Sequence, residues 1–139
     1  MNFKEQLQKL GACDGAVQWA GDKSLEQAWN ECQRGDWMLW LFRRAENFDK
    51  IASMLAKGHC ANTVRHLMKD IRSTNAVDMA IKYGIGEATD SELAAYAAAA
   101  DAAADAADAA ADAADAARTK NRQETAEICR KYLPIPIFK

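Results

Sequence analysis

Apolar residues recur along this chain at helical spacing, and no β-branched run alternates with polar residues at period two as a half-buried strand would. Phe3, Leu7 and Leu10 predict a first short helix stopped by Gly11. Ala16, Val17 and Ala20 share one face of a second, over 13–20, with Gly21 as its terminal glycine. Ser24 and Gln27 have the spacing of a capping box, and behind them Leu25, Ala28, Trp29 and Cys32 keep a helical period up to Arg34-Gly35. Asp36 is placed to cap the next helix. Residues 37–42, Trp-Met-Leu-Trp-Leu-Phe, are apolar around the whole circumference, which predicts a helix in the middle of the core with Trp29, Trp37 and Trp40 largely buried.

After a break near Glu46-Asn47, Phe48, Ile51, Ala52, Leu55 and Ala56 continue on one face up to Gly58. Residues 59–69 and 74–83 predict two further helices, separated by the polar stretch Lys69-Asp70-Ile71-Arg72-Ser73, the second ending at Gly84 and Gly86. Thr89 and Glu92 repeat the capping-box spacing, and Asp90 places negative charge in the first turn, where the helix dipole favours it. No Gly or Pro then interrupts the chain before Pro134. Of the 24 residues from Ala94 to Ala117, 18 are Ala, five are Asp and one is Tyr96. The aspartates, Asp101, Asp105, Asp108, Asp112 and Asp115, alternate steps of four and three in a DAAADAA heptad. At about 100° per residue they form a stripe about 80° wide, with alanine covering the rest.

One helix over 90–132 would be about 65 Å long. A compact domain of this size has a radius of gyration of about 14 Å, so that helix must project, kink or split, and Thr119-Lys120-Asn121 is its weakest helical tripeptide. The tail Pro134-Ile135-Pro136-Ile137-Phe138 is too proline-rich for helix and too apolar to float, which predicts an extended, docked segment. Bulky residues concentrate before residue 70, so the first half fills the space that the alanines leave. The expected fold is all-α: a compact multi-helix bundle over 1–139, with bulky-core helices in 1–88, the Ala/Asp helix in 89–118, a basic helix or continuation in 119–133 and an extended tail in 134–139.

The net charge of −2 is unevenly spread: residues 1–89 carry +1, 90–117 carry −7 and 118–139 carry +4, which permits internal pairing as well as charged partners. Cys13, Cys32, Cys60 and Cys129 stand singly, without CxxC or a short metal spacing. With the charged N-terminus MNFKEQLQKLG lacking an apolar stretch, this predicts reduced, mostly buried thiols and a cytoplasmic protein. Five regularly placed carboxylates exclude the alanine tract from a bilayer.

The run Cys60-Ala61-Asn62-Thr63-Val64-Arg65-His66-Leu67, then Asp70-Ile71-Arg72-Ser73, Ala76-Val77-Asp78-Met79-Ala80 and Gly86-Glu87 before an alanine-rich helix, resembles the Imm-5-like immunity proteins. Ser73 and Tyr83 stand where that pattern has proline and tryptophan. The whole chain, including Arg34-Gly35-Asp36-Trp37-Met38-Leu39-Trp40, is similar to alanine-rich proteins of gut bacteria and their phages. The resemblance implies a helical fold and a role in protection against a toxin.

Adjacent like charges in the aspartate stripe each cost about 0.2–0.5 kcal/mol, so helix stability does not explain them. A solvated face of a repeat, a contact for a basic protein, mimicry of a phosphate backbone at about 5 Å per charge and cation binding all remain as readings. A single row lacks the convergent oxygen cage of a cation site. His59 and His66 are seven apart with Cys60 beside them, but neither HxxxH nor HExxH is present. Asp70 and Arg72 suit an internal pair or a partner contact. Asp36 and Trp37 suit a cap and a core anchor, or a binding hot spot. Phosphate loops and GxSxG are absent.

The leading expectation is a non-enzymatic protein-interaction module of toxin immunity or phage–host conflict, with Asp101, Asp105, Asp108, Asp112, Asp115, Asp70, Arg72 and Trp37 as candidate contacts. Its partner would be a protein, basic if the stripe is the contact. No cofactor, metal, membrane or nucleic acid is expected. A small-molecule or nucleotide binder, with a pocket between the Trp-rich helices and the alanine helix, and a structural homo-oligomer are the alternatives.

Overall fold

The computed structural model describes residues 1–68, 71–95 and 115–138; among them every regular element is helical and none is a strand. Helix α1 (Phe3–Leu10) begins at Asn2, whose side chain accepts from the Glu5 N–H at 2.8 Å while Glu5 reaches back to the Asn2 N–H at 3.2 Å. It ends at Gly11, whose φ of 85° turns its N–H onto the carbonyls of Leu7 and Gln8, a left-handed cap that a side chain would resist. Helix α2 (Asp14–Ala20) stops at Gly21, and α3 (Leu25–Glu31) starts from Ser24, whose hydroxyl accepts from the Gln27 N–H at 3.1 Å. These stops and starts fall where the sequence places them, although only half of the expected box forms at Ser24.

Helix α4 (Gly35–Phe42) corrects two expectations. It starts one residue before Asp36, from Arg34, and has no side-chain cap. The Arg34 guanidinium engages both Asp36 oxygens, at 3.1 and 2.6 Å, and draws that carboxylate away from the helix N–H groups. Nor is the helix buried all round. Met38, Leu41 and Phe42 enter the core, whereas Trp37, Leu39 and Trp40 are half-buried along its flanks.

Helix α5 (Lys50–Asn62) begins at Asp49, whose carboxylate accepts from the N–H groups of Ile51 and Ala52. It runs through Gly58 instead of ending there. Gly58 faces α6 (Ile71–Gly84), and a Cβ on it would lie 2.8 Å from Ile81 Cγ1 and 3.2 Å from Ala80 Cβ. At the far end of α6, Gly84 approaches Leu55 as closely. A glycine that looks like a stop is thus a contact point, and α5 against α6 is the most extensive helix pair. The two helices expected over 59–69 and 74–83 are the end of α5, a 3-10 turn (Arg65–Leu67) and α6, which starts at Ile71.

That turn is tied to α6 by Arg65, which donates to both carboxylate oxygens of Asp78 at 2.6 and 2.9 Å. The hydrogen bond from Arg65 holds the Asp78 carboxyl below its ordinary 3.8. A depressed carboxylate contributes stability that is present above its unfolded pKa and lost as pH falls through its folded pKa. Urea unfolding of Asp78→Asn across about pH 2 to 7 should therefore show a deficit at neutral pH that vanishes at the acid end. The same deficit at both ends would contradict this assignment.

A further helix, α7, begins at residue 90 and is described through 95. Thr89 and Glu92 exchange both capping-box bonds, at 3.1 and 3.2 Å, as the spacing predicts. Asp90 accepts from the Tyr83 hydroxyl at 2.7 Å and pairs with Lys50 at 3.5 Å, which joins α7 to α5 and α6. The continuity of the helix from 90 to 132 and the packing of the alanine faces lie outside the described residues. Helix α8 (Asp115–Tyr132) passes unbroken through Thr119-Lys120-Asn121, so the basic helix starts before residue 119. There Asn121 donates to the Thr63 hydroxyl at 2.8 Å, a tertiary bond that offsets a weak local propensity.

Beyond Leu133 the tail is extended and docked, as expected. Ile137 O accepts from the Glu46 N–H at 2.8 Å, the Asn47 side chain bonds both Ile135 O and Ile137 N–H, and Pro136 is fully buried. Among the described residues Phe42, Cys129 and Pro136 are the largest fully buried side chains, and Cys129 lies where α8 meets Gly35 of α4 and Cys60 of α5. No helix among the described residues is long and apolar enough to cross a membrane.

Candidate functional site

Helices α1 to α4 line a half-open cavity of about 470 Å³. Its shape follows from the placing of small and large side chains on four short helices. Phe3 and Leu7 come from α1, and the following turn adds Gly11, Ala12 and Cys13. On α2, Ala16, Trp19 and Ala20 stand at i, i+3 and i+4 and share one face. On α3, Ala28 and Trp29 precede Cys32 by one turn. Trp37, Met38, Trp40 and Leu41 form the wall on α4, with Asp36 at its start. Five of the lining residues are glycine or alanine, so the indoles brace the helices apart while nothing opposite them fills the gap.

All four tryptophans of the chain line this space. Trp19 and Trp37 meet at 6.2 Å with planes inclined by 58°, the edge-on arrangement that ring quadrupoles favour. Three of the rings also carry a cation: Lys23 lies 4.8 Å from the Trp19 centroid, Arg34 4.3 Å from Trp37 and Arg44 3.8 Å from Trp40. Each cation is satisfied locally. Lys23 donates to Trp19 O, Arg44 to Trp40 O and Arg34 to Asp36. Arg130 reaches across from α8 to the C-terminal end of α3 and donates to the carbonyls of Trp29 and Cys32, at 3.3 and 2.6 Å. Cys32 Sγ donates to Arg34 O at 3.5 Å, and burial pushes its thiol up, so it stays protonated.

Of the residues singled out from sequence, only Trp37, with its neighbour Asp36, reaches this cavity. Trp29 is buried as expected, but Trp37 and Trp40 are half-buried because their rings border the cavity and carry Arg34 and Arg44. Arg72 stands exposed in the first turn of α6. Asp70, Asp101, Asp105, Asp108 and Asp112 lie outside the described residues, as does the side chain of Asp115, whose backbone opens α8. The pocket expected between the Trp-rich helices and the alanine helix falls outside the described residues; the cavity of α1 to α4 is lined by residues from Phe3 to Leu41.

His59 and His66 do not act together. His59 stacks on Tyr132 at 4.6 Å with planes 1° apart, and burial followed by the Lys131 charge lowers its pKa, while His66 is exposed. Cys60 donates to Thr125 O, and Cys129 is buried with its thiol pushed up by a hydrogen bond with Cys60 and by burial. Among the described residues, no group of three or more His, Cys, Asp or Glu side chains converges as a metal site would require.

Sequence reasoning took Trp29, Trp37 and Trp40 as core filling and did not place a cavity among the first four helices. The available signal was that every tryptophan falls between 19 and 40, interleaved at helical spacing with Ala16, Ala20 and Ala28. No family model, curated protein or solved structure matches this chain.

Proposed function

We propose that this protein is a non-enzymatic binding protein that holds a small, largely apolar molecule in the tryptophan-lined cavity. The observation that carries this reading is the space itself: about 470 Å³, walled by four indoles, within the roughly 300–1,000 Å³ usual for small-molecule sites. A binding role is favoured over a catalytic one because the lining's carboxylate and its buried thiol are both engaged. Arg34 occupies Asp36, and Cys32 is held as a thiol.

A ligand that binds only the folded state adds about 2.7 kcal/mol at a hundredfold excess over Kd. A panel of neutral aromatic and alicyclic compounds should therefore contain members that raise the melting temperature by several degrees. Ala16→Leu, which projects into the cavity from α2, should abolish that rise while the protein remains folded. A panel without effect, together with an Ala16→Leu variant more stable than the wild type, would mark the cavity as a packing gap.

The acidic repeat supports a second reading, a protein-interaction module of toxin immunity or phage–host conflict with a basic partner. Changing Asp101, Asp105, Asp108, Asp112 and Asp115 to Asn removes five like charges, so the chain should remain as stable or become slightly more so. Capture of a basic partner from host lysate should weaken in that variant, and with rising salt in the wild type. Unchanged capture would reduce the stripe to a solvated face.

A further inference from the structure

The polar groups around the cavity are unbalanced, and this bears on the chemistry of the ligand proposed above. Trp29 is only 4% exposed and borders the cavity. Its indole N–H makes no hydrogen bond to the protein among the described residues, and neither do those of Trp19, Trp37 and Trp40. An indole N–H can only donate, and a buried one is ordinarily paired. Acceptors around the cavity each already take a hydrogen bond elsewhere: both Asp36 oxygens from Arg34, the Trp29 and Cys32 carbonyls from Arg130, the Trp19 carbonyl from Lys23 and the Trp40 carbonyl from Arg44. Water entering the cavity can serve the Trp29 N–H. A ligand that displaces this water must bring its own acceptor or leave a buried donor bare.

We infer that the ligand is a neutral, ring-containing carbonyl compound, its oxygen accepting from the Trp29 indole N–H and its apolar body lying among the other indoles. Charge excludes the acid form. Asp36 is the charged residue of the lining, and the cations on Trp19, Trp37 and Trp40 are held by their own partners, so a carboxylate would meet like charge without a free cation. This inference rests on the cavity being the binding site.

Three probes of matched shape test it by isothermal titration of the full chain: 2-acetylnaphthalene, its alkene isostere 2-isopropenylnaphthalene, and 2-naphthoate. The ketone should bind about tenfold more tightly than the alkene, the upper range for one well-placed hydrogen bond, and the naphthoate more weakly than the ketone. In proton–nitrogen correlation spectra of the wild type, the chain's four indole signals are assigned through the backbone. The Trp29 signal should move downfield with the ketone and stay in place with the alkene. Trp29→Phe, if folded, should lose the preference for the ketone; the spectra decide the matter if it is not. Equal affinity for ketone and alkene, or a Trp29 signal that ignores the ketone, overturns this inference and leaves the cavity reading intact. Failure of all three probes to bind overturns both.

Discussion

Phe42→Ala should destabilise the protein by about 3–5 kcal/mol, the cost of removing a buried aromatic ring and leaving a gap. Phe42, the last residue of α4, is 0% exposed and belongs to the hydrophobic core that α4 shares with residues of α8. The core cluster it belongs to draws side chains from several helices, so the gap is not closed by moving one element. A domain of this length has only about 5–15 kcal/mol of stability in total, and the variant should therefore melt some ten degrees or more below the wild type. Phe48→Ala is the matched control: that ring lies 5.8 Å from Phe42 but is 42% exposed, and its loss should cost less than half as much in urea unfolding. Similar losses for the two variants would place the packing centre elsewhere. Since α4 also carries Trp37 and Trp40, the Phe42 variant should loosen the tryptophan wall and weaken any cavity ligand.

Gly35→Ala should cost about 1–3 kcal/mol, or somewhat more, although alanine is the better helix former. Gly35 is the first residue of α4 and is pressed against α8: a Cβ would run into the Thr125 side chain and lie 2.6 Å from the Thr125 backbone carbon. A backbone atom inside a helix cannot swing aside, so α4 and α8 must separate. Separation would also stretch the contact in which Cys129 donates its S–H to Gly35 O. Gly15→Ala isolates the propensity effect, because a Cβ there has only Trp37 Cζ2 nearby, at an ordinary 3.9 Å. That variant should be as stable as the wild type or up to about 1 kcal/mol more stable. If calorimetry shows both alanines stabilising, the close approach of α4 to α8 is wrong.

Much of the helical outline was legible because it depends on groups within four residues of one another. Gly11 and Gly21 end helices through their own backbone freedom, and Thr89 with Glu92 closes a box across a single turn. The docked tail could also be foreseen, since proline forbids helix and the run is apolar, although Pro136 is the side chain that is buried and Ile135 and Ile137 stay exposed. Where a local signal competes with a contact from afar, the reading fails. Asp36 has the chemistry of a cap, yet Arg34 and the Trp37 ring claim the neighbourhood. Gly58 has the chemistry of a stop, yet its missing side chain serves α6.

The candidate site shows the same division. Periodicity in the sequence alone determines that the chain is helical and that Trp29 shares an apolar face with Leu25, Ala28 and Cys32. Only the tertiary structure decides that the four tryptophans border a common space with Gly11, Ala12, Ala16, Ala20 and Ala28, and that the Trp29 N–H lacks a protein partner among the described residues. The physical reason is that helical propensity and capping are short-range, with each residue acting on its own turn. Whether a volume is filled, and whether a buried donor is paired, depends on side chains that come together only when separate helices pack.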